Sequence, residues 1–340
     1  ADAPGAHRQD PDVLVGGAQG LLLELSAEFG PFAGVGVAGQ MHGILYTDAT
    51  GRAVSPVYTW LDRRAEAKGE TSYGEVFRET VGEAVPLGYG ALTHFTLTRT
   101  GRVPASATHL CTPADYLVMR LADLIEPVID PTLAHSLGLF DLERNGFSAG
   151  WAATPSSVRL PVLGQGEIVG HHGDVPVVTA VGDNQASFIG SVGSPQRAAS
   201  VTLGTSGQVT CVSRVRPPHS GPEMEVRPFP GGGFLLVGAS LTGGKALEVL
   251  AGLIDSVAVA LTGERAADPY ALLEAASASP PYPVVDTRFA GSRGGAQAGA
   301  IHGVTVDNFT LPHLAYGFAQ GVVDELHAFW AGAFTEAGAT

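Results

Sequence analysis

Apolar residues recur along the chain with two different spacings. Intervals of three or four residues mark residues 13–29, 113–124 and 311–329, which predicts amphipathic helices. Shorter apolar runs of strand length lie at 34–38 and 175–181. Strands interleaved with helices in both halves predict α/β domains with largely buried sheets.

Two β-hairpins are also predicted. Residues 44–60 alternate around a turn at 48–51, and residues 200–212 alternate around Gly204–Gly207. The segment 145–173 is rich in Gly, Pro and Ser, which favours a domain boundary near residue 172. We therefore expect one domain over 1–172 and a second over 173–340, as the length of 340 residues suggests at roughly 150 residues per domain.

Charge and composition limit the partners. The chain has 19 Lys+Arg against 33 Asp+Glu, a net charge of −14, and no clustered basic surface, so a nucleic-acid partner is not expected. Lys68 and Lys245 are its two lysines. An anionic substrate would therefore be held by backbone N–H groups, hydroxyls, arginines or a metal ion.

The sequence also bears on location and redox chemistry. No apolar stretch approaches the roughly 18 residues of a membrane span, and residues 1–12 lack the apolar core of a signal peptide. We expect a cytoplasmic protein with no membrane partner. Cys111 and Cys211 lie far apart without a C-x-x-C partner, so both are predicted to be inert thiols.

A polar cluster follows the first predicted strand. Gln40, Met41 and His42 come directly after it, where open α/β sheets place ligands. Alone, His42 is more readily a structural histidine. Trp60 and Asp62, at the end of the neighbouring hairpin, add an apolar face and a carboxylate acceptor, which together favour a carbohydrate pocket.

A second polar cluster follows the strand at 175–181. Asp183 is placed to accept a proton from a substrate hydroxyl that attacks a phosphate, although the same carboxylate would equally cap the next helix. Gly204, Thr205 and Ser206 offer adjacent N–H groups and two hydroxyls able to cradle phosphate without a lysine. A plain hairpin tip without function remains the alternative for these three residues.

At these residues the sequence resembles the FGGY carbohydrate kinases, and among them the sedoheptulokinases. The matching segments run in the family order: Gly39–Gly43, Trp60–Arg64, Gly88–Gly90, Asp115–Leu117, Gly182–Ser187, Gly204–Gly207 and Val237–Gly244. They cover nearly the whole chain. Any one motif is weak, but seven in order are specific for the family.

The resemblance implies two actin-like (ribonuclease H-like) ATPase domains around a cleft. The first domain would bind sugar and the second ATP, with Mg²⁺ bridging the phosphates and Asp183 as catalytic base and metal ligand through water. The implied contacts are Gln40, Met41, His42, Trp60, Asp62 and Asn184 for the sugar, and Gly204, Thr205, Ser206, Gly243 and Gly244 for the nucleotide. The expected reaction converts sedoheptulose to sedoheptulose 7-phosphate, and a homodimer is left open.

Two departures from the family pattern leave alternatives open. Residues 1–33 lack the acidic strand and Gly-Thr-rich phosphate hairpin with which family members begin, and no Gly-rich adenosine loop precedes Thr340. We therefore expect a chain incomplete at both ends, either a fragment of a kinase or a degenerate relative. The alternative functions are a kinase for xylulose or another ketose, and a sugar-binding pseudokinase without transfer activity.

Overall fold

A computed structural model describes residues 5–66, 71–154, 156–217, 224–274, 280–291 and 299–331. These residues form two compact units. The first takes in residues up to Ser187 together with Pro228–Gly232, and the second takes in the others. The units thus divide later in the chain than residue 172; the assignment of 1–172 to sugar and 173–340 to nucleotide stays a prediction.

The fold is mixed α/β, as predicted. The α-helices are α1 Pro11–Phe29, α2 Tyr73–Val81, α3 Gly90–Arg99, α4 Pro113–Leu121, α5 Pro131–Ser136, α6 Asp183–Ser191, α7 Gly243–Thr262, α8 Ala271–Glu274 and α9 Leu311–Phe329. The strands of the first unit are β1 Arg8–Gln9, β2 Ala38–Gly39, β3 Leu45–Thr47, β4 Val57–Tyr58, β5 His109–Cys111, β6 Val128–Ile129, β7 Phe140–Asp141, β8 Gly146–Phe147, β9 Val162–Leu163, β10 Ile168–His172, β11 Val175–Val178 and β12 Val181–Gly182. The remaining strands are β13 Ala199–Leu203, β14 Gly207–Ser213, β15 Met224–Pro228, β16 Phe234–Ser240, β17 Val284–Asp286 and β18 Ala300–His302.

The predicted helices α1, α4 and α9 are all present. Helix α1 begins at Pro11 behind the capping carboxylate of Asp10, which accepts N–H groups from Asp12 and Val13. In α1 only Pro11 and Val15 are buried, so most of its apolar residues are exposed. The spacing therefore predicted the helix correctly but not the extent of its burial.

The core of the first unit lies between short strands and the helices α3, α4 and α5. The largest fully buried side chains include Tyr46, Phe77, Phe95 and Met119. The predicted hairpin around 48–51 exists, since the backbones of Ile44 and Tyr58 hydrogen-bond to each other in both directions. Its strands also pair outward, β3 with β5 and β4 with β1.

The first unit also contains the strand pair on which the candidate site depends. Strands β2 and β12 run parallel, with Ala38 opposite Val181 and Gly39 opposite Gly182. An earlier bridge joins Val35 to Val177 in the same direction. The apolar runs at 34–38 and 175–181 are therefore neighbours in one unit, although 136 residues lie between them in sequence.

The second unit is built on an antiparallel sheet in the order β13-β14-β16-β15. Strands β13 and β14 form the predicted hairpin, with Leu203 opposite Gly207. Helices α7 and α9 pack together over a cluster that includes Leu250, Ile254, Val285 and Phe318. Within the described residues of both units, no helix is long and apolar enough to cross a membrane.

Candidate active site

Two polar segments leave the same edge of the β2/β12 pair. Because the strands are parallel and Gly39 lies opposite Gly182, Gln40 and Asp183 start from neighbouring positions. The pairing is close: the Met41 side chain, itself buried, lies against Gly182, where a Cβ would come within 3.4 Å of the Met41 sulfur. The structure therefore brings together two of the predicted clusters.

Asp183 belongs to the same compact unit as His42. The sequence predicts this carboxylate in the second domain, opposite a sugar held by the first. The parallel pairing of β12 with β2 is the physical reason for the difference. Asp183 is exposed and is the first residue of α6.

His42 adopts a left-handed backbone conformation, with φ of 73°. Its backbone N–H donates to the Ser136 hydroxyl at 3.0 Å, and its ring Nδ1 lies 2.6 Å from the Ser136 carbonyl oxygen. The ring stacks on Tyr89 with centroids 3.9 Å apart. A carbonyl only accepts hydrogen bonds, so Nδ1 carries the ring proton and Nε2 of the neutral ring is the acceptor.

The segment Gly88–Gly90 connects His42 to Trp60. Gly88 has φ of 82°, and a Cβ there would collide with the Trp60 carbonyl oxygen. A Cβ on Gly90 would come within 2.6 Å of Ile44 and 3.3 Å of the His42 carbonyl oxygen. With 52% of its surface exposed, Trp60 presents the apolar face that the sequence predicts.

Asp62 is buried and already engaged. Its Oδ1 accepts from the backbone N–H and Nε of Arg64, and its Oδ2 accepts from Arg64 at 2.6 Å and from the backbone N–H of His7. A carboxylate has about four acceptor positions, so these hydrogen bonds fill them. A sugar contact through Asp62, as the sequence predicts, would require this arrangement to open.

Asn184 has an unused acceptor. Its side-chain oxygen is buried and has no hydrogen-bond partner among the described residues. The adjacent Gln185 is buried and donates from Nε2 to the Pro228 carbonyl. A buried orphan oxygen is unfavourable unless a hydrogen-bond donor reaches it, and a hydroxyl group is one such donor.

In the second unit, the hairpin tip and the start of α7 lie against each other. The N–H of Gly244 donates to the Gly204 carbonyl at 2.7 Å, and that of Lys245 to the Thr205 carbonyl at 3.0 Å. Cβ atoms on Gly243 or Gly244 would collide with the tip backbone. The structure thus places the two predicted nucleotide segments in contact, and their close packing explains why Gly243 and Gly244 lack a side chain. Thr205 and Ser206, at the hairpin tip, are exposed.

Sequence reasoning missed the groups that support His42 and Asp183. Ser136 lies 94 residues from His42, and Thr132, whose hydroxyl accepts the Gly182 N–H at 3.1 Å, lies 50 residues from Gly182. Neither belongs to a quoted motif. Their one sequence signal is Asp130-Pro131, a cap followed by proline, which marks a helix start but not what the helix holds.

Asp115 lies at the third position of α4, hydrogen-bonded to Thr112 in a capping box. Burial raises the pKa of its carboxyl group to about 7; the hydrogen bonds from Thr112 oppose this rise, and the nearby Asp130 charge adds to it. No group of three metal-ligating side chains occurs in the described parts of the chain. A magnesium ion carried by substrate phosphates needs only one or two protein carboxylates, a requirement that exposed Asp183 can meet.

The chain is similar to solved structures of sugar kinases. The xylulose kinase from Rhodospirillum rubrum gives a TM-score of 0.78 at 20% identity, covering 100% of this chain and 73% of that one. A protein described as a xyloylose kinase from Brucella ovis gives 0.76 at 22% identity, covering 99% and 73%. The chain has the fold of the sugar kinases.

That fold extends beyond pentulose enzymes. The glycerol kinase of Plasmodium falciparum, solved with ADP, matches with a TM-score of 0.70 at 16% identity over 100% of this chain and 73% of that chain. No family model and no curated protein sequence matches the chain. The sugar-kinase fold agrees with the two actin-like domains that the resemblance implies.

Proposed function

We propose that this protein is an ATP-dependent kinase for the primary hydroxyl of a ketose. The observation that carries the proposal is the parallel register that starts Gln40–His42 and Asp183–Asn184 from one edge. One segment supplies an amide and an imidazole acceptor, and the other a carboxylate and a buried orphan oxygen. The sugar-kinase fold supports the same proposal.

In the proposed reaction, Asn184 and His42 accept hydrogen bonds from other hydroxyl groups of the ketose, and the proton of the reacting primary hydroxyl is directed at Asp183. Asp183 accepts that proton as the hydroxyl oxygen attacks the γ-phosphorus. A new P–O bond forms to the sugar while the bond to the β-phosphate oxygen breaks, and ADP leaves with the electron pair. Bound Mg²⁺ supplies charge neutralisation on the phosphates.

The nucleotide side of the proposal rests on the second unit. Exposed Thr205 and Ser206 would donate to phosphate oxygens. The N–H of Gly244 already bonds to the Gly204 carbonyl, so Gly243 and Gly244 would act by shaping the tip. ATP binding here is supported by the ADP named with the glycerol kinase structure.

The proposed sugar is sedoheptulose, with xylulose or another ketose as the alternative. The preference for sedoheptulose rests partly on Gly88–Gly90, whose glycines the packing against Trp60 and Ile44 already requires. The names of the neighbouring structures favour xylulose.

The test is ADP release, coupled to an optical assay, with xylulose, sedoheptulose and ribulose, and with gluconate and glycerol for comparison. We expect release with at least one ketose that exceeds release with gluconate or glycerol. Calorimetric titration of the same sugars without ATP runs in parallel. Sugar binding without ADP release would overturn the kinase proposal in favour of a sugar-binding pseudokinase, and neither binding nor release would contradict both.

A further inference from the structure

The short helix α5 contacts both halves of the candidate site. Thr132 and Ser136 lie four residues apart, so their side chains emerge from one face of the helix. Thr132 accepts the N–H of Gly182, the residue before Asp183. Ser136 accepts the N–H of His42 and offers its carbonyl to His42 Nδ1.

Both side chains are fixed in place. Thr132 and Ser136 are 0% and 1% exposed. The Ser136 hydroxyl donates its single proton to the Leu133 carbonyl at 2.7 Å, so a lone pair faces His42. The first turn of the helix is held by Asp130, whose carboxylate accepts the N–H of Thr132 at 2.9 Å.

His42 depends on this support. A non-glycine residue with positive φ is held there by its surroundings, and here Ser136 provides two contacts and Tyr89 a third. The carbonyl of Ser136 also selects the Nδ1–H tautomer. Ser136 therefore decides both where the ring lies and which nitrogen accepts a hydrogen bond.

We infer that α5 sets the distance between the sugar-binding side chain His42 and the base Asp183, with Thr132 and Ser136 as positioning residues. The inference rests on the proposed function. Thr132 acts through the end of β12 on Asp183, and Ser136 acts through the backbone and ring of His42. The two residues therefore affect different steps, phosphoryl transfer and sugar binding.

The kinetic test compares Thr132→Val with Ser136→Ala. Thr132→Val keeps the side-chain shape but removes the acceptor; we expect kcat to fall about tenfold or more with the KM for ketose changed less than about threefold. For Ser136→Ala we expect the ketose KM to rise about fivefold and the ATP KM to stay unchanged. Thr132→Ser keeps the hydroxyl and should restore kcat to within about twofold of wild type.

Thr96→Val is the matched control, because Thr96 is also a buried threonine but its hydroxyl donates within its own helix, to the Leu92 carbonyl. It should leave both kcat and KM near wild type. Equal effects of Thr132→Val and Thr96→Val, or no effect of Thr132→Val on kcat, would overturn the inference. A wild-type protein that releases no ADP with any ketose would instead contradict the proposed function.

A second measurement does not need activity. Long-range ¹H–¹⁵N correlation spectra of the histidine rings, with His42 assigned by comparison with His42→Gln, report the tautomer of His42 directly. We expect the Nδ1–H form at pH 8 both in wild type and in Ser136→Ala, because the substitution removes the hydroxyl but keeps the backbone carbonyl that accepts from Nδ1. An Nε2–H ring in the wild-type protein would overturn the part assigned to Ser136.

Discussion

At the scale of single residues, the sequence predicts where candidate side chains lie relative to the strands better than it predicts the contacts that hold them. The sequence singles out Gln40, His42 and Asp183 as candidates because each follows a predicted strand, and ligands gather at strand ends. The positive φ of His42 and its bonds to Ser136 are set by a residue 94 positions away. Likewise, the carboxylate of Asp62 can be located from sequence, whereas its engagement with Arg64 depends on side-chain geometry.

Gly88 gives a prediction about stability. Gly88→Ala combines a left-handed backbone with a collision at the Trp60 carbonyl, so we expect the free energy of unfolding to fall by about 3 kcal/mol or more. Gly82→Ala is the control, since Gly82 has φ of 81° but open space around it; about 1–2 kcal/mol is expected there. Urea unfolding measures both, and equal losses would show that contact with Trp60 does not constrain Gly88.

At the scale of secondary-structure elements, periodicity predicts the β13/β14 hairpin and helices α4 and α9; strand β14 and both helices bury apolar residues at a regular spacing. It does not predict that the hairpin tip lies on the start of α7. That contact depends on the absence of Cβ atoms at Gly243 and Gly244, which no apolar pattern records. Helix α1 shows the opposite case: its apolar spacing predicts a helix, but most of its apolar side chains are exposed and not buried.

Gly244→Ala tests the contact between the tip and α7. The added methyl group would collide with the Gly204 carbonyl and displace the tip, so we expect the ATP KM to rise about fivefold or more with the ketose KM unchanged. Gly252→Ala is the matched control within α7, where nothing lies near the new Cβ; it should raise the free energy of unfolding by about 0.5–1 kcal/mol and leave the ATP KM alone. An unchanged ATP KM in Gly244→Ala would show that the hairpin tip does not contribute to nucleotide binding.

At the scale of the whole molecule, the α/β class is readable from the alternation of strands and helices. The division into units does not follow from this alternation, because β11 and β12 join the first unit by pairing with residues far earlier in the chain. The Gly-, Pro- and Ser-rich stretch at 145–173 lies within the first unit and contains strands β8, β9 and β10.

The buried carboxyl group of Asp115 predicts that the free energy of unfolding depends on pH. Its folded-state pKa of about 7 lies above the ordinary value of 3.8, so the folded protein holds this proton more tightly than the unfolded chain does. The stability contributed by Asp115 is therefore complete below about pH 4 and is lost as pH rises to about 7. The difference in free energy of unfolding between wild type and Asp115→Asn should fall over this range and then level off.

Asp48→Asn is the control for that profile. Hydrogen bonds from Thr50 and Arg52 lower the pKa of Asp48, so its stabilising effect is lost in the other direction, as pH falls below about 4. Urea unfolding of the three proteins from pH 3 to pH 8 checks both signs. A pH-independent difference for Asp115→Asn would contradict the raised pKa.

The central claim is that Asp183 removes the proton from a sugar bound beside it on the same edge of one unit. The most direct test is Asp183→Asn, which keeps the size of the side chain but cannot accept the proton, measured by ketose-dependent ADP release together with calorimetric sugar binding. We predict a fall in kcat of about 10²–10⁴ with the sugar dissociation constant within about threefold of wild type. A variant whose kcat stays within about tenfold of wild type would contradict the claim.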